Sequence, residues 1–128
     1  MMAQEWRFTE LRSDWIGDKW YRITAEFQYL HPTEGLFSTP EGRVTDFDSV
    51  PRIPLVYAYA KGRTRYAAAV HDELYLRRER RRWADKIFWD AMGHEGVPNR
   101  YRWPIWLGVR SGGWLAYRRK AKTDDAKG

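Results

Sequence analysis

The spacing of apolar residues changes once along the chain, from every second residue to helical spacing, and this change constrains the fold more than any other feature. From Tyr21 to Tyr29 the odd positions are apolar and the even positions are polar or charged. Such alternation is typical of a strand with one buried face. Pro51 and Pro54 then exclude a helix interior, because proline removes a backbone donor. Beyond them apolar residues recur at helical spacing, so the sequence predicts strands followed by helices.

The helical region is predicted to begin with two amphipathic helices. Their apolar faces are Tyr66, Ala69, Val70 and Leu74, and then Ala84, Ile87, Phe88, Ala91 and Met92. Residues 99–117 are predicted to be helical in pieces, since Pro104 and Gly112-Gly113 would interrupt a longer helix.

The expected fold class is α+β, with a small antiparallel N-terminal sheet packed against two or three C-terminal helices. Turns are predicted at residues 13–18 and 35–40, where Gly, Ser, Asp and Pro cluster. The length of 128 residues predicts a single domain, which we place at residues 1–122. Residues 123–128 are expected to be a disordered tail.

Composition narrows the chemistry that the chain can support. It has no cysteine, so disulfides, thiolate metal sites and cysteine nucleophiles are excluded. The net charge of +6 permits an acidic partner such as nucleic acid without selecting one. The N-terminus lacks the basic start and apolar stretch of a signal peptide, and no apolar run is long enough to span a membrane.

Acidic residues and one histidine stand out as candidates for a catalytic site. Asp46 and Asp48 follow a predicted strand, His71 and Asp72 lie within the first helix, and Asp85 borders the apolar face of the second. Imidazole with carboxylates suits a divalent metal such as Zn or Mn. We therefore take Asp46, His71, Asp72 and Asp85 as candidate catalytic residues, and the set Asp46, His71 and Asp85 as candidate metal ligands.

A structural interpretation of the same residues stays open. Asp46 and Asp48 would cap backbone amides in a turn. His71 would bond to Asp85 and fix the two helices together, because buried polar groups need partners. Asp72 would pair with an arginine.

The basic run at residues 77–82 offers a candidate anion-binding group. Arg78, Arg81 and Arg82 would contact phosphates there. The alternative is a solvated turn between two helices, which is the commoner outcome for such a run.

Three ordered motifs carry a resemblance to a known family. They are Thr45-Asp46-Phe47-Asp48-Ser49-Val50-Pro51, then His71-Asp72-Glu73-Leu74-Tyr75, and then the segment 81–92, which reads Arg-x-x-Ala-Asp-x-x-Phe-x-x-Ala-Met. Together with Gly108-Val109-Arg110 before Gly112-Gly113, they resemble small phage and prophage proteins grouped as a domain of unknown function. The resemblance implies a phage or prophage origin and no particular activity. Asp48 departs from the pattern, which has a small residue there.

These observations lead to three functional hypotheses. The first is a phage-encoded metal-assisted hydrolase with the cell wall as its expected substrate. The second is a non-enzymatic virion or assembly protein, whose aromatic C-terminal region docks on a partner. The third is a basic binder of nucleic acid or of a host defence component. The expected location is the host cytoplasm or the virion, with a phage or host component as partner.

Overall fold

A computed structural model describes residues 7–18, 20–45 and 64–127. The chain divides into two compact units, residues 1–46 and residues 47–128. The described residues form strands in the first unit and helices in the second, which confirms the predicted α+β class. We call these two units the sheet unit and the helical unit. That residues 1–122 form one domain stays a prediction.

The first unit contains two antiparallel sheets rather than the single sheet expected. Strands β1 (Ser13–Gly17), β2 (Trp20–Ile23) and β5 (Val44–Thr45) form one sheet in the order β1-β2-β5. Strands β3 (Phe27–His31) and β4 (Gly35–Thr39) form the other.

The alternating segment 21–29 is divided between these sheets. Ile23, Phe27 and Tyr29 are buried and Tyr21 is half-buried, as the alternation predicts. The chain bends at Ala25, however, and β2 pairs with β1 and β5 whereas β3 pairs with β4. A period of two identifies the buried face but not the partner strand, so the break could not be read from the pattern.

Both predicted turns prove to be strands flanked by shorter turns. Residues 13–17 form β1, and the chain reverses after it with positive φ at Gly17 (114°) and Asp18 (51°). The prediction at residues 35–40 is wrong in the same way, since residues 35–39 form β4. The turn before β4 is held by His31, whose Nδ1 accepts the backbone N–H groups of Thr33 and Glu34 at 3.1 and 3.0 Å.

The second unit consists of helices α1 (Arg65–Leu76), α2 (Arg81–Glu95) and α3 (Asn99–Lys127). Every residue from Ala67 to Tyr75 is buried, so α1 is enclosed on all sides. The predicted apolar face of α2 is confirmed, and this helix ends at Gly96, whose φ of 95° suits glycine. Among the described residues, no helix has the length and apolar character that crossing a membrane requires.

Helix α3 is continuous, whereas the sequence predicted separate pieces. Pro104 lies inside it, and the helix runs on to Lys127 through the region expected to be a tail. A proline within a helix costs about 3 kcal/mol. Burial of Ile105 and Val109 on the following turn offsets this cost, because tertiary packing outweighs local propensity.

The start of α1 is capped from the far end of α2. The Glu95 carboxylate accepts the backbone N–H groups of Tyr66 and Ala67 at 3.0 and 2.9 Å. These groups have no partner within their own helix. Burial raises the pKa of Glu95 to about 7, although the two N–H groups and the charge of Arg65 favour the carboxylate.

This raised pKa predicts a stability change near neutral pH. The unfolded group titrates near 4.5, so between about pH 4.5 and 7 the folded state binds more protons. The contribution of Glu95 to stability is therefore complete below pH 4.5 and lost as the pH rises to about 7. Relative to Glu95→Gln, the wild type should lose on the order of 3 kcal/mol across this range in urea unfolding.

The control for this measurement is Glu79→Gln, which removes one charge at an exposed position. Its stability difference from the wild type should stay nearly constant with pH. An equal pH dependence for the two variants would contradict the assignment to Glu95.

Candidate functional site

The carboxylate of Asp85 lies in the interior of the helical unit and is fully buried. Its Oδ1 lies 2.6 Å from His71 Nε2 and accepts the Tyr75 hydroxyl at 2.6 Å. Facing a carboxylate, the Nε2 atom acts as the donor. His71 is buried as well, and its ring contacts those of Tyr75 and Phe88 in tilted arrangements, with centroids 4.1 and 4.8 Å away.

Two arginines complete the surroundings of Asp85. Arg110 Nη1 donates to Oδ2 at 2.7 Å, and Arg81 Nη2 lies 3.7 Å from the same oxygen. Arg81 also donates through Nε to the Tyr75 hydroxyl at 3.2 Å. Its Nη2 reaches the carbonyl oxygens of Val109 and Arg110 at 3.1 and 3.0 Å. We call Asp85, His71, Tyr75, Arg81 and Arg110 the Asp85 cluster.

Helical spacing explains how these side chains meet. His71 and Tyr75 are four residues apart on α1, and Arg81 and Asp85 are four apart on α2, so each pair shares a helix face. Arg110 comes from α3. The cluster therefore joins all three helices through one acidic group.

The electrostatics favour an ionised Asp85. Burial alone would raise the pKa of its carboxyl, but hydrogen bonds from His71, Tyr75 and Arg110, with the charge of His71, lower the pKa below its usual value. Burial and the hydrogen bond to Asp85 raise the pKa of the Tyr75 hydroxyl, so it stays a donor. The chemistry of the cluster is therefore that of a satisfied buried ion network.

The structure brings together only part of the predicted catalytic and metal site. The direct contact between His71 and Asp85 is confirmed. Asp72 is buried on the same helix, but it is not among the groups that contact Asp85. Asp46 and Asp48 lie outside the described residues.

The distance between His71 and Asp85 favours the structural interpretation. The 2.6 Å between His71 Nε2 and Asp85 Oδ1 is the length of a direct hydrogen bond. Two ligand atoms of one zinc ion each lie about 2 Å from the metal, so the ion would stand between them and they would not bond to each other. Within residues 7–18, 20–45 and 64–127, no three His, Cys, Asp or Glu side chains are grouped so that they could hold a metal. A site that includes Asp46, with Zn or Mn, stays a prediction.

The three predicted anion-binding arginines have different surroundings. Arg81 belongs to the Asp85 cluster. Arg78 donates to the Tyr117 carbonyl oxygen at 2.7 Å, and its guanidinium carbon lies 3.7 Å from the centre of the Tyr117 ring. Arg82 is exposed. Two of the three therefore make contacts within the protein, and anion binding by this set stays a prediction.

Sequence reasoning missed Tyr75 and Arg110. Both lie in the motifs that carried the family resemblance, Tyr75 at the end of His-Asp-x-Leu-Tyr and Arg110 in Gly-Val-Arg. The spacing of Tyr75 from His71 would have placed it on the same helix face. Nothing in the sequence indicated that Arg110 reaches across from another helix.

A double-mutant cycle separates architecture from metal chemistry. His71→Ala removes one donor to a buried carboxylate and should destabilise the fold by on the order of 1–3 kcal/mol. Asp85→Asn leaves two arginines without their counter-charge and should cost about 3–5 kcal/mol. The double variant should lose less than the sum in urea unfolding, because the two residues are in direct contact.

Elemental analysis of the untagged wild type and of His71→Ala completes the test. Loss of bound metal in His71→Ala, with the fold intact, would support the metal site instead. A wild type without metal, together with single losses that simply add, would contradict both interpretations.

Comparison with known proteins places the chain in a family. No curated protein and no solved structure matches it. A family model with the description "Protein of unknown function (DUF1353)" matches residues 21–109. The match covers β2 to β5, both helices of the His71–Asp85 contact and the start of α3. Because it spans more than half of the sequence, the chain belongs to the DUF1353 family of proteins of unknown function.

Proposed function

We propose that this protein binds nucleic acid through its helical unit and is not an enzyme at the Asp85 cluster. The observation that carries this proposal is the separation of charge within residues 64–112. Seven Lys and Arg side chains of this segment are exposed: Arg65, Arg77, Arg78, Arg80, Arg82, Lys86 and Arg100. In the same segment, Glu79 is the one exposed acid.

The other acids of this segment are withdrawn from the surface. Asp72, Glu73 and Asp85 are buried, and Asp90 and Glu95 are half-buried. Glu73 and Asp90 pair with Arg77 and Lys86 at 2.8 and 3.1 Å, and Glu95 caps α1. The surface of this segment is therefore more basic than its composition indicates.

An exposed basic surface of this kind attracts a polyanion and releases its counterions. Within the described residues, no carboxylate pairs with Arg80, Arg82 or Arg100, so these cations can contact phosphates without first breaking an ion pair. The sequence adds a further basic segment at residues 118–122. The chain as a whole carries a net charge of +6.

The closed geometry of the Asp85 cluster disfavours catalysis at that cluster. His71 is 3% exposed and Asp85 is 0% exposed, so a substrate would first have to open the helix packing. A general base must come within hydrogen-bonding distance of the group it deprotonates. The metal-assisted hydrolase remains the rival proposal, and the metal analysis described above tests it.

A phage or prophage origin is part of the proposal, and the three ordered motifs support it. Neighbouring genes for tail or lysis proteins, found across several members of the family, would agree with this origin. Neighbours that are consistently cellular housekeeping genes would contradict it.

Binding to labelled 20-nucleotide DNA, measured by fluorescence anisotropy at several salt concentrations, tests the function. The affinity should fall steeply with salt, because each phosphate contact releases a counterion. Arg82→Gln and Arg100→Gln should each weaken binding and make the salt slope shallower by about one. Glu79→Gln should strengthen binding, since it removes the exposed acid of this surface.

Arg12→Gln is the matched control, because it removes one exposed arginine from the sheet unit, where Arg12 pairs with Glu10. It changes the net charge as much as Arg82→Gln but should leave the salt slope unchanged. No binding at 50 mM salt, or equal losses for all the arginine variants, would show that the helical unit is not the binding surface.

A further inference from the structure

The first turns of α3 carry an exposed aromatic and basic stripe. Basic and aromatic residues alternate in the sequence Arg100-Tyr101-Arg102-Trp103. Trp103 and Leu107 are each 53% exposed, and Arg100 is exposed one turn before Trp103. Residues three and four apart lie on one side of a helix, so Arg100, Trp103 and Leu107 form a single outward stripe.

The Trp103 ring is held by two neighbouring indoles. Its centroid lies 4.8 Å from that of Trp89 and 6.0 Å from that of Trp106, with interplanar angles of 60° and 87°. Trp106 is fixed in turn, because its Nε1 donates to the backbone carbonyl oxygen of Asp85 at 3.1 Å. The guanidinium of Arg102 lies 4.7 Å from the Trp89 ring centre. An exposed indole is therefore presented in a fixed orientation beside positive charge.

We propose that Trp103 is a stacking platform for an unpaired base of single-stranded nucleic acid, with Arg100 contacting the adjacent phosphate. The inference rests on the nucleic-acid binding proposed above and names the site and the form of the ligand. Surfaces that bind single strands combine cations that follow the backbone with aromatic rings on which bases stack. Because the indole is already fixed, stacking a base on it costs less conformational entropy.

The form of the ligand follows from the same geometry. A base in a duplex is already stacked on its neighbours, and exposing its face requires unpairing that costs a few kcal/mol. Trp103 therefore gains a stacking partner only from an unpaired base. The positive charge beside it disfavours a second copy of this chain as the occupant, because like charges would meet across the contact.

The test uses the full-length protein with fluorescein-labelled dT20, rU20 and a 20-base-pair duplex. Both single strands should bind more tightly than the duplex, and the ratio of dT20 to rU20 affinity reports any preference for the sugar. Trp103→Ala should weaken binding to the single strands by about 5- to 100-fold, as removal of one stacking ring does. Duplex binding should change little.

Two further variants keep the test decisive. Trp103→Phe retains a ring and its packing, so it should bind more tightly than Trp103→Ala even if the alanine variant is less stable. Trp15→Ala is the matched control, since Trp15 is 65% exposed in the sheet unit. It should bind dT20 as the wild type does. Melting temperatures of all three variants establish that they are folded.

Photo-crosslinking gives an independent measurement of the contact. A dT20 strand that carries one 5-iodouracil should crosslink to the peptide that contains Trp103, as identified by mass spectrometry. Crosslinking only to other peptides, or equal affinity of Trp103→Ala and wild type for dT20, would overturn the stacking platform. Nucleic-acid binding would still stand if the salt slope and the Arg82→Gln effect were retained. Absence of binding to all three ligands at 50 mM salt would overturn both proposals.

Discussion

The ionised carboxylate of Asp85 is the group on which the packing of the three helices depends. A buried charge is tolerated only when hydrogen bonds and opposite charge replace the water it has lost. His71 and Tyr75 supply hydrogen bonds from α1, and Arg110 supplies a hydrogen bond and positive charge from α3. Each helix therefore has one position relative to Asp85 that satisfies the charge, and this fixes their register more strictly than apolar packing alone would.

Placing acids inside the helical unit has a consequence for its surface. Asp85 is compensated by Arg81 and Arg110, which are only half-buried, so the network itself contributes positive charge towards the solvent. Glu95 is also used within the helical unit, where its carboxylate caps the start of α1. The basic surface and the satisfied interior are therefore linked, because the Asp85 carboxylate is buried while its partners Arg81 and Arg110 are partly exposed.

The sequence predicted the elements whose periodicity was long and regular. The apolar face of α2 and the buried positions Ile23, Phe27 and Tyr29 follow from local pattern. The contact between His71 and Asp85 was predicted, as one of two interpretations, from the need of buried polar groups for partners. The pairing of the strands could not be predicted, because Thr24 and Ala25 continue the alternating pattern although the chain passes from one sheet to the other there. The break predicted at Pro104 was wrong for a related reason, since burial of Ile105 is a tertiary effect that no local propensity reveals.

The interior network and the exposed aromatic stripe are physically connected. The backbone carbonyl oxygen of Asp85 accepts the Trp106 indole, and Trp106 packs edge to face against Trp103. A surface indole gains little from stacking on a base if it must first give up many orientations. Because Trp106 is fixed by the same residue that fixes the three helices, Trp103 is held against a rigid support. In this arrangement the buried polar residues orient the surface that we propose binds nucleic acid, so a cluster closed to solvent would contribute to that function through the position of Trp103.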